Sequence, residues 1–270
     1  MRARALLPLV VMLRWLGFAD PVAAETVVSF GFDEANGTTA LNGGTLGAAA
    51  NGTLNSGATR VADTPSGSGT ALWLDGIDDF VRVTTTFAYG SAFTVEAWIR
   101  PEQVDGQRVI WDDYGNPGVL LAVSSGSLQF GVSTTEDPGP GLAAFSPQLV
   151  CTDEWIHVAG VYDGAELRAY VNGAVAASTA TSGAVIDNPN SASAIGSDNE
   201  VTNALNFAGG IDDLRVHTSA LAPAALGGGL AGEGYDCVPE PSLGALSAAV
   251  LAALAACRRR AAPPGARHEA

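Results

Sequence analysis

The sequence predicts an all-β domain, and three observations carry that expectation. Apolar and polar residues alternate with a period of two, as in "AFTVEAWIR" at 92–100. There Phe93, Val95, Ala97 and Ile99 share one face, and Thr94, Glu96, Trp98 and Arg100 the other. Turn signals separate many short apolar runs in a chain holding 33 glycines among 270 residues. No part of 25–237 sustains a 3.6-residue period. With 47% hydrophobic and 15% charged residues the chain is too apolar for disorder, and its length suits one large β domain.

The elements follow in order. Strands are expected at 26–32, 70–74, 79–84, 92–100, 107–111, 117–123 and 127–133. In "WIHVAGVYDGAELRAYVNG" (155–173) two apolar-rich strands flank Asp163-Gly164, a type I′ hairpin signal. Asn172-Gly173 repeats that signal, so a strand at about 174–180 should fold back as well. The last strand is expected at 207–217. Helix is limited to a short turn near 219–226, held short by Pro223. Residues 112–117, 134–148 and 181–206 read as rim loops, and 227–237 as a flexible spacer.

Both ends read as addresses. Residues 1–24 have the form of a signal peptide: Arg2 and Arg4, an apolar middle from Leu6 to Leu13, and a small-residue cleavage site at Val22-Ala23-Ala24. At the other end, 243–257 is an uncharged apolar run, about 22 Å long as a helix and short for a bilayer crossing. Arg258, Arg259 and Arg260 would hold its end on the cytoplasmic side. Residues 238–260 resemble the bacterial PEP-CTERM sorting signal: Val238-Pro239-Glu240-Pro241-Ser242, then the apolar run, then the three arginines. That resemblance implies recognition by an exosortase-type protease, a cut near Pro239-Glu240-Pro241, transient or retained contact with the inner membrane through 243–257, and export to the envelope or beyond. The tail 261–270 is longer than the family's usual stub.

All 13 cationic residues are arginines. Within 25–237 six arginines face 25 acids, a net charge of −19. Such a segment repels nucleic acid and anionic lipid surfaces, which removes nucleic acid from the expected partners.

Five segments recur in the order of a known family: "FGFDEANGTTALN" (30–42), "ALWLDGIDDFVRV" (71–83), "FTVEAWIRP" (93–101), the 155–173 hairpin and "FAGGIDDLRVHTSAL" (207–221). Residues 25–226 thus resemble the LamG-like jelly-roll domain of the concanavalin A-like lectin/glucanase superfamily. The resemblance implies a two-sheet antiparallel jelly-roll sandwich with its chain ends close together. It also implies a binding module for carbohydrate or matrix polymer. Alternatives are a structural matrix or envelope protein without a specific ligand, or a glycoside hydrolase of the same superfamily.

In this fold the first and last strands lie close, which would bring Asp33 or Glu34 toward Asp212 or Asp213. Crowded carboxylates repel, and Ca²⁺ relieves them with six to eight oxygen ligands. The expected structural calcium site is Asp33 and Asp212, completed by Asn36 or backbone carbonyls. The alternative is that Asp212 caps a turn or pairs with Arg215. "DGIDD" at 75–79 lacks the Glu of an EF-hand loop and is not read as one.

Glucanases of the superfamily display Glu-x-Asp-x-Glu along a strand, so that one acid protonates and another attacks. Here Glu96 stands alone, Trp98 takes the second acid's place, and Glu102 lies beyond Pro101. No catalytic residue is assigned and a non-enzyme is expected. His157 reads as a packed, hydrogen-bonded residue. Trp73, Trp98, Trp111 and Trp155 read mainly as core, with one near a loop available to stack on a sugar ring. Cys257 would leave with the sorting signal. Cys151 and Cys237 then remain in an oxidising compartment and can bridge if their geometry allows.

Overall fold

The computed structural model describes residues 24–113, 118–138, 142–148, 150–187, 192–198 and 205–227. The expected signal sequence up to 23, Cys237, the sorting residues Pro239, Glu240, Pro241, Arg258, Arg259 and Arg260, the run 243–257 and the tail all lie outside the described residues. Among the described residues, no helix is long and apolar enough to cross a membrane.

The described chain is built of strands. The first eight are β1 (Thr26–Phe30), β2 (Thr39–Ala40), β3 (Gly52–Asn55), β4 (Thr59–Val61), β5 (Ala71–Asp75), β6 (Phe80–Val83), β7 (Phe93–Pro101) and β8 (Gln107–Asp112). Then come β9 (Val119–Ser124), β10 (Ser127–Val132), β11 (Leu142–Gln148), β12 (Ile156–Tyr162), β13 (Glu166–Val171), β14 (Ala174–Ala180), β15 (Ser193–Ile195) and β16 (Ala208–His217). One sheet runs β14-β13-β12-β7-β16-β5-β4, with β1 also on β16; the other runs β11-β10-β9-β8-β15-β6-β3-β2. The pairings are antiparallel, and the two sheets enclose one apolar core, so the all-β two-sheet sandwich stands.

Alternation decides what enters that core. Phe93, Val95, Ala97 and Ile99 of β7 face inward and are fully buried. Tyr89, Phe130 and Tyr162 surround Phe93, with ring centroids at 4.7, 5.8 and 6.1 Å. Trp111 is also internal, and its Nε1–H donates to Tyr89 Oη at 2.9 Å. Phe130 lies directly against the backbone of β12 at Gly160, where a Cβ would come within 2.1 Å of the ring.

Turn chemistry sets the hairpins. Asn172 and Gly173 both take positive φ (49° and 76°), and Val171 pairs with Ala174, as the Asn-Gly signal requires. Asp163-Gly164 also makes a hairpin, but not the two-residue turn expected. Asp163 is not left-handed; its Oδ1 accepts the N–H groups of Ala165 and Glu166 at 2.9 Å each, closing a longer loop. The expected turn at 219–226 is a 3₁₀ turn over Pro223–Ala225.

Two expected rim loops contain strands. β11 falls within 134–148 and carries Pro147, tolerated because β11 is the edge of its sheet. β15 falls within 181–206, is three residues long and is wholly buried between β6 and β8. The short strands β2, β3 and β4 were also not expected, being too brief to show a period.

Candidate functional site

The outward face of the first sheet holds the residues of greatest chemical interest, and register fixes how they line up. Residues paired across antiparallel strands point to the same side. Gly210 of β16 pairs with Trp73 of β5 and with Arg100 of β7. Trp155 precedes β12, whose Ile156 pairs with Ile99, so it stands beside Arg100. The row is therefore Trp73, Gly210, Arg100, Trp155. The next row is Asp212, Trp98, His157, and the one after is Arg215, Glu96, Ala159, Tyr170.

The first row is an aromatic platform. Trp73, Trp98 and Trp155 are half-buried on this face, and only Trp111 of the four tryptophans considered lies in the core. The expectation that they are mainly core is corrected: Trp73 and Trp98 sit on outward positions of their strands, and Trp155 lies just before β12 on the same face. A Cβ on Gly210 would lie 2.7 Å from Trp155 Cη2 and 3.4 Å from Trp73 Cζ3, so the missing side chain is what lets both indoles lie over β16. Asp63 fixes the platform: its Oδ1 accepts Trp155 Nε1–H at 3.1 Å, and its Oδ2 accepts Arg100 Nη1–H at 2.8 Å. Arg100 also donates from Nε to the Asp153 carbonyl at 3.1 Å and stands 5.8 Å from the Trp73 ring. Trp98 meets His157 edge-on at 5.4 Å.

The other half of the face is closed by the chain after β16. Thr94 Oγ1 donates to the Ser219 carbonyl at 2.8 Å and accepts Leu221 N–H at 2.9 Å. Leu226 is buried against Ala159, Val161 and Tyr170. Beneath this strap Glu96 is 1% exposed. It accepts from His157 Nε2 at 3.2 Å, His217 Nε2 at 3.0 Å and the Gly227 N–H at 2.7 Å. Burial alone would raise its pKa; the hydrogen bonds from His157, His217 and Gly227 outweigh it and hold the carboxyl well below the usual range. His157 is thus packed and hydrogen-bonded, as its alternation implied. The Glu96–His217 link was missed, although β16 pairing with β7 would have shown it: His217 is opposite Thr94, two residues from Glu96. Buried and with both oxygens engaged, Glu96 has no open side from which to attack or protonate a sugar.

The expected metal residues meet in part. β1 pairs with the second half of β16 and β5 with the first, and Asp33 and Asp212 lie at the junction. Asp212 is 6% exposed; burial above all, together with the negative charges of Asp213 and Asp33, pushes its carboxyl up to about 7. Asp33 Oδ1 accepts Thr70 N–H at 2.8 Å. Asn36 is exposed, and among the described residues no hydrogen bond joins it to either acid. Glu34 turns away to Arg60 at 2.8 Å. Asp212 Oδ1 accepts Asp213 N–H at 2.8 Å, and Arg215 pairs with Asp213 at 2.7 Å. Two carboxylates would supply only part of the six to eight oxygens that Ca²⁺ takes, the rest falling to carbonyls or water.

In the "DGIDD" loop, carboxylate oxygens of Asp75, Asp78 and Asp79 come within 4.8 Å of one another, while Asp75 and Asp79 also close the turn through Ile77 N–H and Asp75 N–H.

Sheet order and core together define a two-sheet antiparallel β-sandwich. The Laminin_G_3 family model, described as the concanavalin A-like lectin/glucanases superfamily, matches residues 75–226. The chain belongs to this superfamily. No curated protein matches it in sequence. Among solved structures, the chain is similar to the binding domain of Paraclostridial Mosquitocidal Protein 1, with TM-score 0.60 and 17% identity over 75% of this chain and 51% of that one. It is also similar to Domain 4 of AbnA, a GH43 extracellular arabinanase from Geobacillus stearothermophilus, solved in complex with arabinotriose: TM-score 0.57, 19% identity, 75% of this chain and 97% of that one. The binding domain of botulinum neurotoxin serotype D follows at TM-score 0.54 and 13% identity, over 74% and 49%. The chain spans about half the length of the toxin binding domains it matches. At these identities the likeness is one of fold.

Proposed function

We propose that this protein is an exported, exosortase-sorted binding module that holds a carbohydrate or matrix polymer on the Trp73–Trp98–Trp155 face. The platform carries the reading: three half-exposed indoles on one sheet face, two of them over a strand glycine, with Asp63 holding one indole and the neighbouring guanidinium. A sugar ring packs its C–H face on an indole and turns its hydroxyls to flanking polar groups. The fold shared with an arabinanase domain solved with arabinotriose, and with toxin binding domains, supports the reading.

The module carries no catalytic role in this proposal, because Glu96 is enclosed by His157, His217 and Gly227. Asp33 and Asp212, with Asn36 or backbone carbonyls, hold a structural Ca²⁺, and Cys151 pairs with Cys237 to tie the end of the domain to its body. The sorting signal at 238–260 directs the protein to the envelope or beyond, with transient or retained anchoring through 243–257.

A glycan array with arabino-oligosaccharides among its probes tests the platform. The wild type should bind at least one glycan, and Trp155→Ala or Trp73→Ala should weaken it at least about tenfold, the loss of one aromatic anchor. A wild type that binds no glycan would leave the structural-matrix reading in its place. Turnover of a β-glucan that vanishes in Glu96→Gln would overturn the non-catalytic assignment.

A further inference from the structure

The charge around the platform is one-sided. Beyond the Trp73–Gly210–Arg100–Trp155 row, outward alternation places Asp75 and Glu102 beside Ala208. Asp153 and Glu154 immediately precede Trp155, and Asp63 lies against its Nε1. Asp63, Asp75, Glu102, Asp153 and Glu154 are all exposed. Facing these five carboxylates, Arg100 is the cation of the platform, and it is tied to Asp63 and the Asp153 carbonyl. The segment 25–237 as a whole carries a net charge of −19.

From this we infer that the platform selects a cationic sugar: an amino-sugar polymer whose 2-amino groups are free rather than acetylated. This assignment rests on the carbohydrate-binding reading and narrows it. Three physical terms favour the ammonium form. The carboxylate fringe attracts cations and repels uronate or sulfate polymers. Indole is the best aromatic partner for an ammonium group within about 6 Å of its face. Glu102 and Glu154 have exposed carboxylates just beyond one edge of the aromatic row, where they can accept charge-assisted hydrogen bonds from a sugar lying along it. A neutral sugar uses only the stacking, and an acidic one opposes the field.

Calorimetry on the mature domain tests this with three hexamers: glucosamine, N-acetylglucosamine and galacturonate. Measurements at about pH 6 keep the amine protonated. The glucosamine hexamer should bind about tenfold tighter than its N-acetylated counterpart at low salt, and the margin should shrink as salt rises. The galacturonate hexamer should not bind. The double variant Glu102→Gln/Glu154→Gln should bring the first two affinities together. Equal or tighter binding of the N-acetylated or galacturonate hexamer, lost in Trp155→Ala, would overturn the amino-sugar assignment and leave the carbohydrate reading intact. Binding of none of the three, beside an arabino-oligosaccharide that does bind, would overturn it likewise. Glucosamine binding insensitive to Trp155→Ala and Trp73→Ala would overturn the platform itself.

Discussion

Glu96 is the most constrained side chain of the outward face. Its charge is held by His157, His217 and Gly227 N–H while water is excluded. Glu96→Gln keeps the shape but removes the charge and an acceptor, leaving at least one histidine N–H without its partner. The expected cost is about 2–4 kcal/mol, read from the urea midpoint. Glu96 should not by itself cause acid unfolding in mild conditions: its folded value lies below 4.5, so its contribution is present above that pH and is lost only as pH falls through the strongly acid range. Asp212 acts in the opposite sense. Its folded value of about 7 lies above 3.8, so the folded protein holds an extra proton between the two, and that stabilisation is lost as pH rises through 7. Without divalent cations the domain should be more stable at pH 5 than at pH 8, by about 2 kcal/mol from Asp212, and Asp212→Asn should remove that part of the slope. Asp113, raised to about 6 chiefly by burial, adds in the same direction. Calcium at Asp33 and Asp212 should raise the melting temperature at pH 8, a gain reversed by chelator; no shift would count against that site.

The hairpins and the inner face of β7 show what a sequence makes legible at the level of elements. Alternation identified Phe93, Val95, Ala97 and Ile99 as core, and Asn172-Gly173 identified the β13–β14 turn, because period and positive φ are local properties. The outer face of β7 was harder. Thr94 and Glu96 alternate as surface residues do, yet they are buried by residues 218–227, more than a hundred positions away. The tryptophans were misread because residue type was weighed above position: Trp98 alternates with Glu96 and Arg100 on the outer face, while nothing local marks that Trp73 and Trp155 share it. β15 escaped notice because three residues cannot display a period. Gly160 is an instance where packing and sequence meet. A methyl group there would press on Phe130, so Gly160→Ala should destabilise by about 1–3 kcal/mol. Pairing it with Phe130→Leu should recover part of that loss, a coupling that a double-mutant cycle in urea would measure.

For the whole molecule, the largest open prediction concerns processing. The mass of the protein from its native cell should correspond to a chain beginning at Glu25 and ending near Pro239-Glu240-Pro241, less two hydrogens for a Cys151–Cys237 bridge. A chain retaining 1–24 would contradict the signal reading, and one retaining 243–270 would favour permanent anchoring. Inside the domain, β16 is central: β7 flanks it along its length on one side, and β5 and β1 share the other. The chain leaves the described region at Gly227, whose N–H is fastened to Glu96, about 13 Å along β7 from Arg100. A mechanical pull from the C-terminal side therefore meets the Leu226 pocket and the Glu96 clasp first, then loads β16 in shear, with hydrogen bonds on both flanks sharing the tension. Were the protein anchored from that side and its tryptophans loaded with a polymer, as proposed, it would resist being peeled apart strand by strand under flow.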